Sequence, residues 1–318
     1  MGVPERDVPV WRHRFGLLTA ASTLFLVFVG GLVTSTGSGL AVPDWPLSYG
    51  MLMPPMVGGI FYEHGHRMVA SAVGFLTLVL AAWTARAEPR PAVRRLAWAA
   101  LAMVVFQGAL GGLTVLFLLP TPISVAHACL AQAFFCAIVA LAYATSREWM
   151  AGSAAAAEDG SRVRPAALVA TGIVFAQLLL GALMRHTGAG LAIPDFPLAF
   201  GRLVPPLAEP GVAVHFAHRL GALAVLGALG VLALRCRRSG DRRLARHGGL
   251  LVVLAGVQAA LGGLTVLSGK AVLPATAHVA LGAAILGGAW LLALRARRRL
   301  RPAGAALLAP SRSEALAS

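Results

Sequence analysis

Two short stretches place ionisable side chains inside otherwise apolar sequence. Glu63-His64-Gly65-His66-Arg67 opens one long apolar segment, and His215-Phe216-Ala217-His218-Arg219 opens another. Ionisable groups in such segments are costly, so each is a candidate for chemistry. A further histidine follows each stretch inside a later apolar segment, His127 after the first and His278 after the second. The spacings agree: His218 follows His66 by 152 residues, and His278 follows His127 by 151. Two neutral imidazoles facing each other across a helix bundle suit axial ligation of a haem iron. Zinc asks for three or four converging ligands, and each half offers only two depth-matched histidines, with no cysteine nearby at that depth.

The stretches differ in one informative place. Glu63 stands three residues before His66, where the second stretch has His215 before His218. Residues at i and i+3 share a helix face, so Glu63 is expected beside whatever His66 binds. A carboxylate near one cofactor and not the other suggests chemistry in the first half and electron storage or relay in the second. The plainer account of Glu63 is an acid favoured by the helix N-terminus. Arg67 and Arg219 follow the histidines at the membrane boundary, either as partners for haem propionates or as snorkelling interfacial arginines. His64 has no counterpart in the second stretch and is given no role.

The segments that position these residues are membrane spans. The chain has 318 residues, 58% hydrophobic and 12% charged, which leaves too little polar surface for a soluble protein of this length. Windows of about 20 apolar residues predict eight spans, at 15–33, 63–85, 96–119, 123–145, 166–184, 214–234, 248–268 and 272–294. The net charge of +15 resides in short loops rather than on a basic face with interleaved aromatics, so nucleic acid is not an expected partner. Arginines crowd the N-terminal segment (Arg6, Arg12, Arg14), the loop after the second span, the middle linker, the loop after the sixth span and the tail, whereas the opposite loops hold only Arg185, Arg202 and Lys270. The positive-inside rule then puts both termini in the cytoplasm and the loops at 34–62 and 185–213 outside, with all four histidines near the outer face of the cell membrane.

The chain also repeats itself. Thr36-Gly37-Ser38-Gly39-Leu40-Ala41-Val42-Pro43-Asp44-Trp45-Pro46-Leu47 returns as Thr187-Gly188-Ala189-Gly190-Leu191-Ala192-Ile193-Pro194-Asp195-Phe196-Pro197-Leu198. Gln107-Gly108-Ala109-Leu110-Gly111-Gly112 returns as Gln258-Ala259-Ala260-Leu261-Gly262-Gly263. Four spans bring the chain back to its starting side, so the expected fold is an all-α integral membrane protein of eight transmembrane helices in two tandem, parallel four-helix bundle repeats. The predicted divisions are a cytoplasmic N-terminal segment 1–14, repeats 15–145 and 166–294, a polar linker 146–165 and a basic tail 295–318. Gly108, Gly111 and Gly112 are read as allowing close helix packing. The Gly/Pro-rich outer loops either fold back over the mouths of their helix units or anchor Trp45 and Phe196 at the interface. Cys129 and Cys136 lie in a span and Cys236 among arginines, so no disulfide framework is expected in the outer loops.

Taken together, the Glu-x-x-His-Arg element, the paired later histidines, the Thr-Gly-Ser-Gly-Leu and Asp-Trp-Pro loop and the duplicated unit resemble haem A synthase, over about residues 15–295. The resemblance implies oxidation of the C8 methyl group of haem O to a formyl group, by way of an alcohol, giving haem A for terminal oxidases. It implies a haem b held by His218 and His278, the substrate haem between His66 and His127, and Glu63 as the functional carboxylate. It further implies a supplying haem O synthase (a protohaem farnesyltransferase), terminal oxidase assembly machinery and an electron acceptor of unknown identity as partners in the lipid bilayer. Some members carry a cysteine pair in the first outer loop; this sequence has none there, which removes a thiol-based electron route.

Two other readings use the same features. A non-catalytic dihaem b-type cytochrome in quinol-linked electron transfer would need the same four histidines, but not Glu63. A transporter would fit the internal repeat, although this repeat is parallel and no span is broken at its centre.

Overall fold

Eight stretches of this sequence are apolar enough to be stable in hydrocarbon only if every backbone N–H and C=O is paired internally, and a helix is the economical solution. The computed structural model describes residues 10–151 and 162–299. In it, helices α1 (Val10–Ser35), α2 (Gly58–Ala87), α3 (Pro91–Leu116), α4 (Thr121–Ala144), α6 (Val163–His186), α7 (Pro210–Arg238), α8 (Arg242–Leu267) and α9 (Val272–Arg299) are long. All eight are long and apolar enough to cross a membrane. A five-residue helix, α5 (Arg147–Ala151), follows α4. The chain is a multi-pass membrane protein.

The helices overrun the predicted spans at most ends, and at the arginine-rich ends the arginine stems carry the backbone beyond the hydrocarbon while their head groups reach water. Helix α3 falls furthest short of its predicted end. It stops at Leu116 rather than 119, and Leu118 and Leu119 both take φ of 60°, a left-handed conformation that ends a helix. Within the linker predicted at 146–165, α5 occupies Arg147–Ala151, and α6 begins at Val163. Arg6, Gly152-Ser153-Ala154, Glu158-Asp159-Gly160 and the tail beyond 299 lie outside the described residues.

Within the first half, α1 packs on α2 and α4, and α3 lies between α2 and α4. In the second half, α6 packs on α7 and α9, with α8 between them. The halves meet through α1 against α9, α6 against α4, and α4 against α9. Exchanging the halves maps these contacts onto themselves. Trp290 Nε1 donates to the Cys136 carbonyl across this seam at 3.1 Å, and Arg185 Nη2 donates to Gly31 O at 3.0 Å and Ser35 Oγ at 2.9 Å.

One end of the first half holds a buried ion cluster. Glu88 accepts from Arg12 at 2.7 Å and from Arg90 at 2.6 and 2.9 Å, and Arg90 also donates to Ala144 O at 2.8 Å. Burial opposes ionisation of Glu88, but the hydrogen bonds and charge of Arg90, with Arg12 behind them, hold its carboxyl below the ordinary range. The corresponding positions of the second half carry Val163, Ser239 and Asp241.

Candidate functional site

At the opposite end, each outer loop folds back onto its own helices through the same set of bonds. Asp44 accepts from Tyr49 N–H at 2.6 Å and Gly50 N–H at 2.8 Å, and Asp195 accepts from Phe200 and Gly201 N–H, both at 2.8 Å. The backbone donors, Gly50 foremost in one loop and Gly201 in the other, keep both carboxyls below the ordinary aspartate range. The turns place Tyr49, Gly50, Phe200 and Gly201 at φ of 54°, 69°, 55° and 71°. The Trp45 ring then rests on Gly112 of α3 and the Phe196 ring on Gly263 of α8. A Cβ built on those glycines would stand 2.5 and 2.7 Å from the rings.

Beneath the loops, the four repeated histidines come in two matched pairs. Each ring lies against a glycine of a neighbouring helix: His66 on Gly30, His127 on Gly111, His218 on Gly181 and His278 on Gly262. A Cβ at those glycines would stand 3.1, 3.2, 3.0 and 3.1 Å from the ring Cε1. The glycines of α3 and α8 therefore make room for rings, of histidine at Gly111 and Gly262 and of loop aromatics at Gly112 and Gly263. This corrects the expectation that Gly111 and Gly112 serve close helix approach. A Cβ at Gly108 would meet nothing within 4 Å.

The geometry suits axial ligation. The rings of His218 and His278 are 6.3 Å apart, centroid to centroid. Two imidazoles on opposite sides of one metal ion, each at about 2.0 Å with ring bonds of about 1.33 Å, stand about 6 Å apart by the same measure. In the first half, Nδ1 of His66 and of His127 is buried and finds no partner among the described residues. Gln107 and Gln258 donate to the main-chain carbonyls of His127 and His278 at 2.9 and 2.8 Å, pinning those helices to α3 and α8. Among the described residues, no three His, Cys, Asp or Glu side chains converge as a metal cluster would require. Two imidazoles per half thus fit a haem better than a bare ion.

Glu63 is buried at 4% exposure. Its Oε2 accepts from Val42 N–H at 2.8 Å and its Oε1 from Arg67 Nη2 at 2.7 Å. His215, at the equivalent position, accepts from Ile193 N–H on Nδ1 at 3.2 Å. Both side chains therefore tie the loop to the helix. Arg67 and Arg219 are also committed to the loops. Arg67 Nη1 donates to Asp44 O at 2.7 Å and Leu47 O at 2.8 Å, and Arg219 donates to Leu198 O at 2.7 Å, Asp195 O at 2.6 Å and Ile193 O at 3.1 Å. The sequence reading offered propionates or the interface as their partners; in the structure loop carbonyls take most of their donors.

His64, given no role from the sequence, is buried and bonds Ser48 Oγ through Nδ1 at 2.8 Å. The second half replaces the pair by Ala199 and Phe216, which pack together in a small apolar cluster. The signal was present in the repeat: both members of a pair change together.

Residues 13–60 and 56–291 match the family described as cytochrome oxidase assembly protein (COX15-CtaA). The chain belongs to this family. The matched residues include both loops, Glu63 and all four histidines of the cytochrome oxidase assembly fold. Among relatives, the protein named heme A synthase from Halalkalibacterium halodurans is 32% identical over 280 residues, covering 83% of this chain and 90% of its own length. The heme A synthase of Symbiobacterium thermophilum is 33% identical over 244 residues, 73% of this chain and 78% of its own. That of Caulobacter vibrioides is 31% identical, with 92% and 97% coverage.

Proposed function

We propose that this protein is a haem A synthase, an integral-membrane oxidoreductase that converts the C8 methyl group of haem O to a formyl group through the alcohol. The observation that carries this reading is the difference between two otherwise matched histidine pairs. Glu63, three residues before His66, takes the place that His215 has before His218. Relatives named heme A synthase align over most of this chain.

In this reading residues 15–145 form the catalytic half and hold the substrate haem between His66 and His127. Residues 166–294 hold haem b between His218 and His278, and haem b, when bound, supplies one-electron transfer. Methyl to alcohol, with the oxygen atom taken from water, and alcohol to aldehyde are two-electron oxidations that each release two protons, so the first half needs a proton acceptor. Glu63 fills that role. Arg67 fixes the position of its carboxylate through Oε1, and Val42 N–H fixes it through Oε2. The folded-back loop lays Trp45 on Gly112 at this end of the first half. Arg67 and Arg219, at the loop end, are the cations assigned to haem propionates in this reading.

The arginine-rich end faces the cytoplasm with both termini, and the histidines lie near the outer face. A haem O synthase supplies the substrate, terminal oxidase assembly takes the product, and an acceptor outside this chain removes the electrons. The test is to co-express the full chain with a haem O-producing farnesyltransferase and analyse extracted haem by mass. Haem A or its C8 alcohol is expected, and both disappear in His66→Ala. Haem B and haem O alone, in folded protein with bound haem, would overturn the proposal in favour of an electron-transfer cytochrome.

A further inference from the structure

One cation of the C-terminal half reaches into the seam without a counter-charge. Arg185 lies at the end of α6, one turn beyond Gly181, the glycine that receives the His218 ring. Residues four apart share a helix face, so Arg185 is on the side of α6 that meets this histidine. Its Nη2 donates across the seam to Gly31 O at 3.0 Å and Ser35 Oγ at 2.9 Å. Ser35 Oγ in turn accepts from Thr276 Oγ1 at 3.1 Å, two residues before His278 on α9. The charge of Arg185 also acts on the His278 ring. One guanidinium is thus bracketed by both histidines of the second pair.

The two Nη2 hydrogens are spent on these bonds. Nε and Nη1 carry the remaining donors and have no acceptor among the described residues, where no Asp or Glu pairs with Arg185. An arginine at the end of a span ordinarily snorkels outward to the headgroups. This one is partly buried and turns inward, toward the other half. A charge drawn out of water without a partner is costly, and an anionic ligand offsets that cost. The planar fork of a guanidinium matches a carboxylate in particular. Arg219, by contrast, has given both terminal nitrogens to loop carbonyls. The first half has no such cation. Thr34 takes the place of Arg185 there and bonds back to Gly30 O of its own helix at 3.3 Å.

We infer that Arg185 binds a propionate carboxylate of the haem carried by His218 and His278, with Gly31 and Ser35 of the other half holding its guanidinium in place. This rests on the haem reading given above. The resident haem is then anchored by a residue that α1 positions, so its retention depends on the contact between the halves. The first half, with Thr34, offers its haem no equivalent anchor, as suits a haem that must enter and leave.

The test uses the full-length protein purified with its haem from cells without haem O supply, fed 5-aminolaevulinate carrying ¹³C at its carboxyl carbon. That label enters the propionate carboxyls, and its isotope shift identifies their bands in the redox-difference infrared spectrum. In Arg185→Gln the labelled carboxylate band is expected to move, and haem b should pass to apomyoglobin about tenfold faster or more. Its midpoint potential should fall, by about 59 mV for each tenfold loss of preference for the reduced haem. Arg202→Gln removes the same charge from an exposed position of the outer loop and should leave all three readouts in place. If Arg185→Gln does not fold, Arg185→Lys decides the matter: it keeps the charge, loses the fork, and should still move the labelled band. A labelled band at its wild-type position in the folded variant would overturn the inference. Faster haem release with that band unmoved would do so too, leaving Arg185 as a strut of the seam or a partner for lipid phosphate. Full haem b in His218→Ala would instead mark failure of the haem assignment on which the inference rests.

Discussion

Where α2 carries Glu63, α7 carries His215, and each buried side chain accepts a hydrogen bond from its own loop, from Val42 N–H in one half and Ile193 N–H in the other. An imidazole therefore suffices to hold the loop. The shared loop geometry does not require a carboxylate, and the chemical role proposed for Glu63 is separable from its mechanical one. The same contrast recurs nearby: Ser48 with His64 against Ala199 with Phe216, and Leu26 with Val69 against Gln177 with Gly221. Over the first pair of histidines the added groups are polar and lie beneath the loop. Over the second, the added amide donates to the main-chain carbonyl of His218 from within the bundle.

The most damaging way to erase this contrast is Glu63→His, which gives the first half the residue of the second. The loop bond has an acceptor in the variant, so folding and haem b content should persist. Formyl-haem production should fall by about 10²–10⁴-fold, the usual contribution of a general base. Mass analysis of extracted haem checks it, and full production would reduce Glu63 to a loop tie.

The next contrast lies at the other end. Glu88→Ala leaves Arg12 buried at 4% exposure without its carboxylate, and breaking such a pair costs about 3–5 kcal/mol. Thermal unfolding in detergent should show a marked drop, whereas Ser239→Ala at the equivalent place should change little. Because the folded state lowers the Glu88 pKa, its contribution is complete above the unfolded value of 4.5 and is lost as pH falls from there through the folded value. The wild-type advantage over Glu88→Ala should therefore shrink on acidification below that point.

A smaller effect is expected at Ser48. Ser48→Ala strands the buried His64 imidazole, at about 1–3 kcal/mol, whereas replacing both partners with apolar groups of fitting shape can be nearly neutral. Ser48→Ala with His64→Phe copies the second half and should recover most of the melting temperature lost by the single variant. No recovery would mean that the two halves are not interchangeable here.

Much of this was readable from residue order. Eight apolar runs, two loops rich in Gly and Pro and a near-constant offset implied eight helices in two units, and the structure has the eight helices. The histidine pairs were visible because ionisable residues stand out in apolar sequence. Features that depend on three-dimensional neighbours were not. Gly111 and Gly112 look like residues for helix packing until the rings of His127 and Trp45 are seen against them. The end of α3 was misplaced because Leu118 and Leu119 are apolar, and hydropathy carries no information about positive φ. Gln177 carries no signal of its own in the sequence, since its contacts appear only beside Gly221 and His218. Comparing the repeats position by position, rather than motif by motif, would have exposed it.

The central claim is that the halves divide the work, the first holding an exchanging substrate haem and the second a resident haem b. The direct measurement is the identity and amount of haem bound to purified His66→Ala and His218→Ala proteins, made in cells that supply haem O. His66→Ala should keep its haem b and contain neither haem O nor haem A, and His218→Ala should lose haem b. Haem b lost from His66→Ala but retained in His218→Ala would contradict the division and reverse the roles of the two halves.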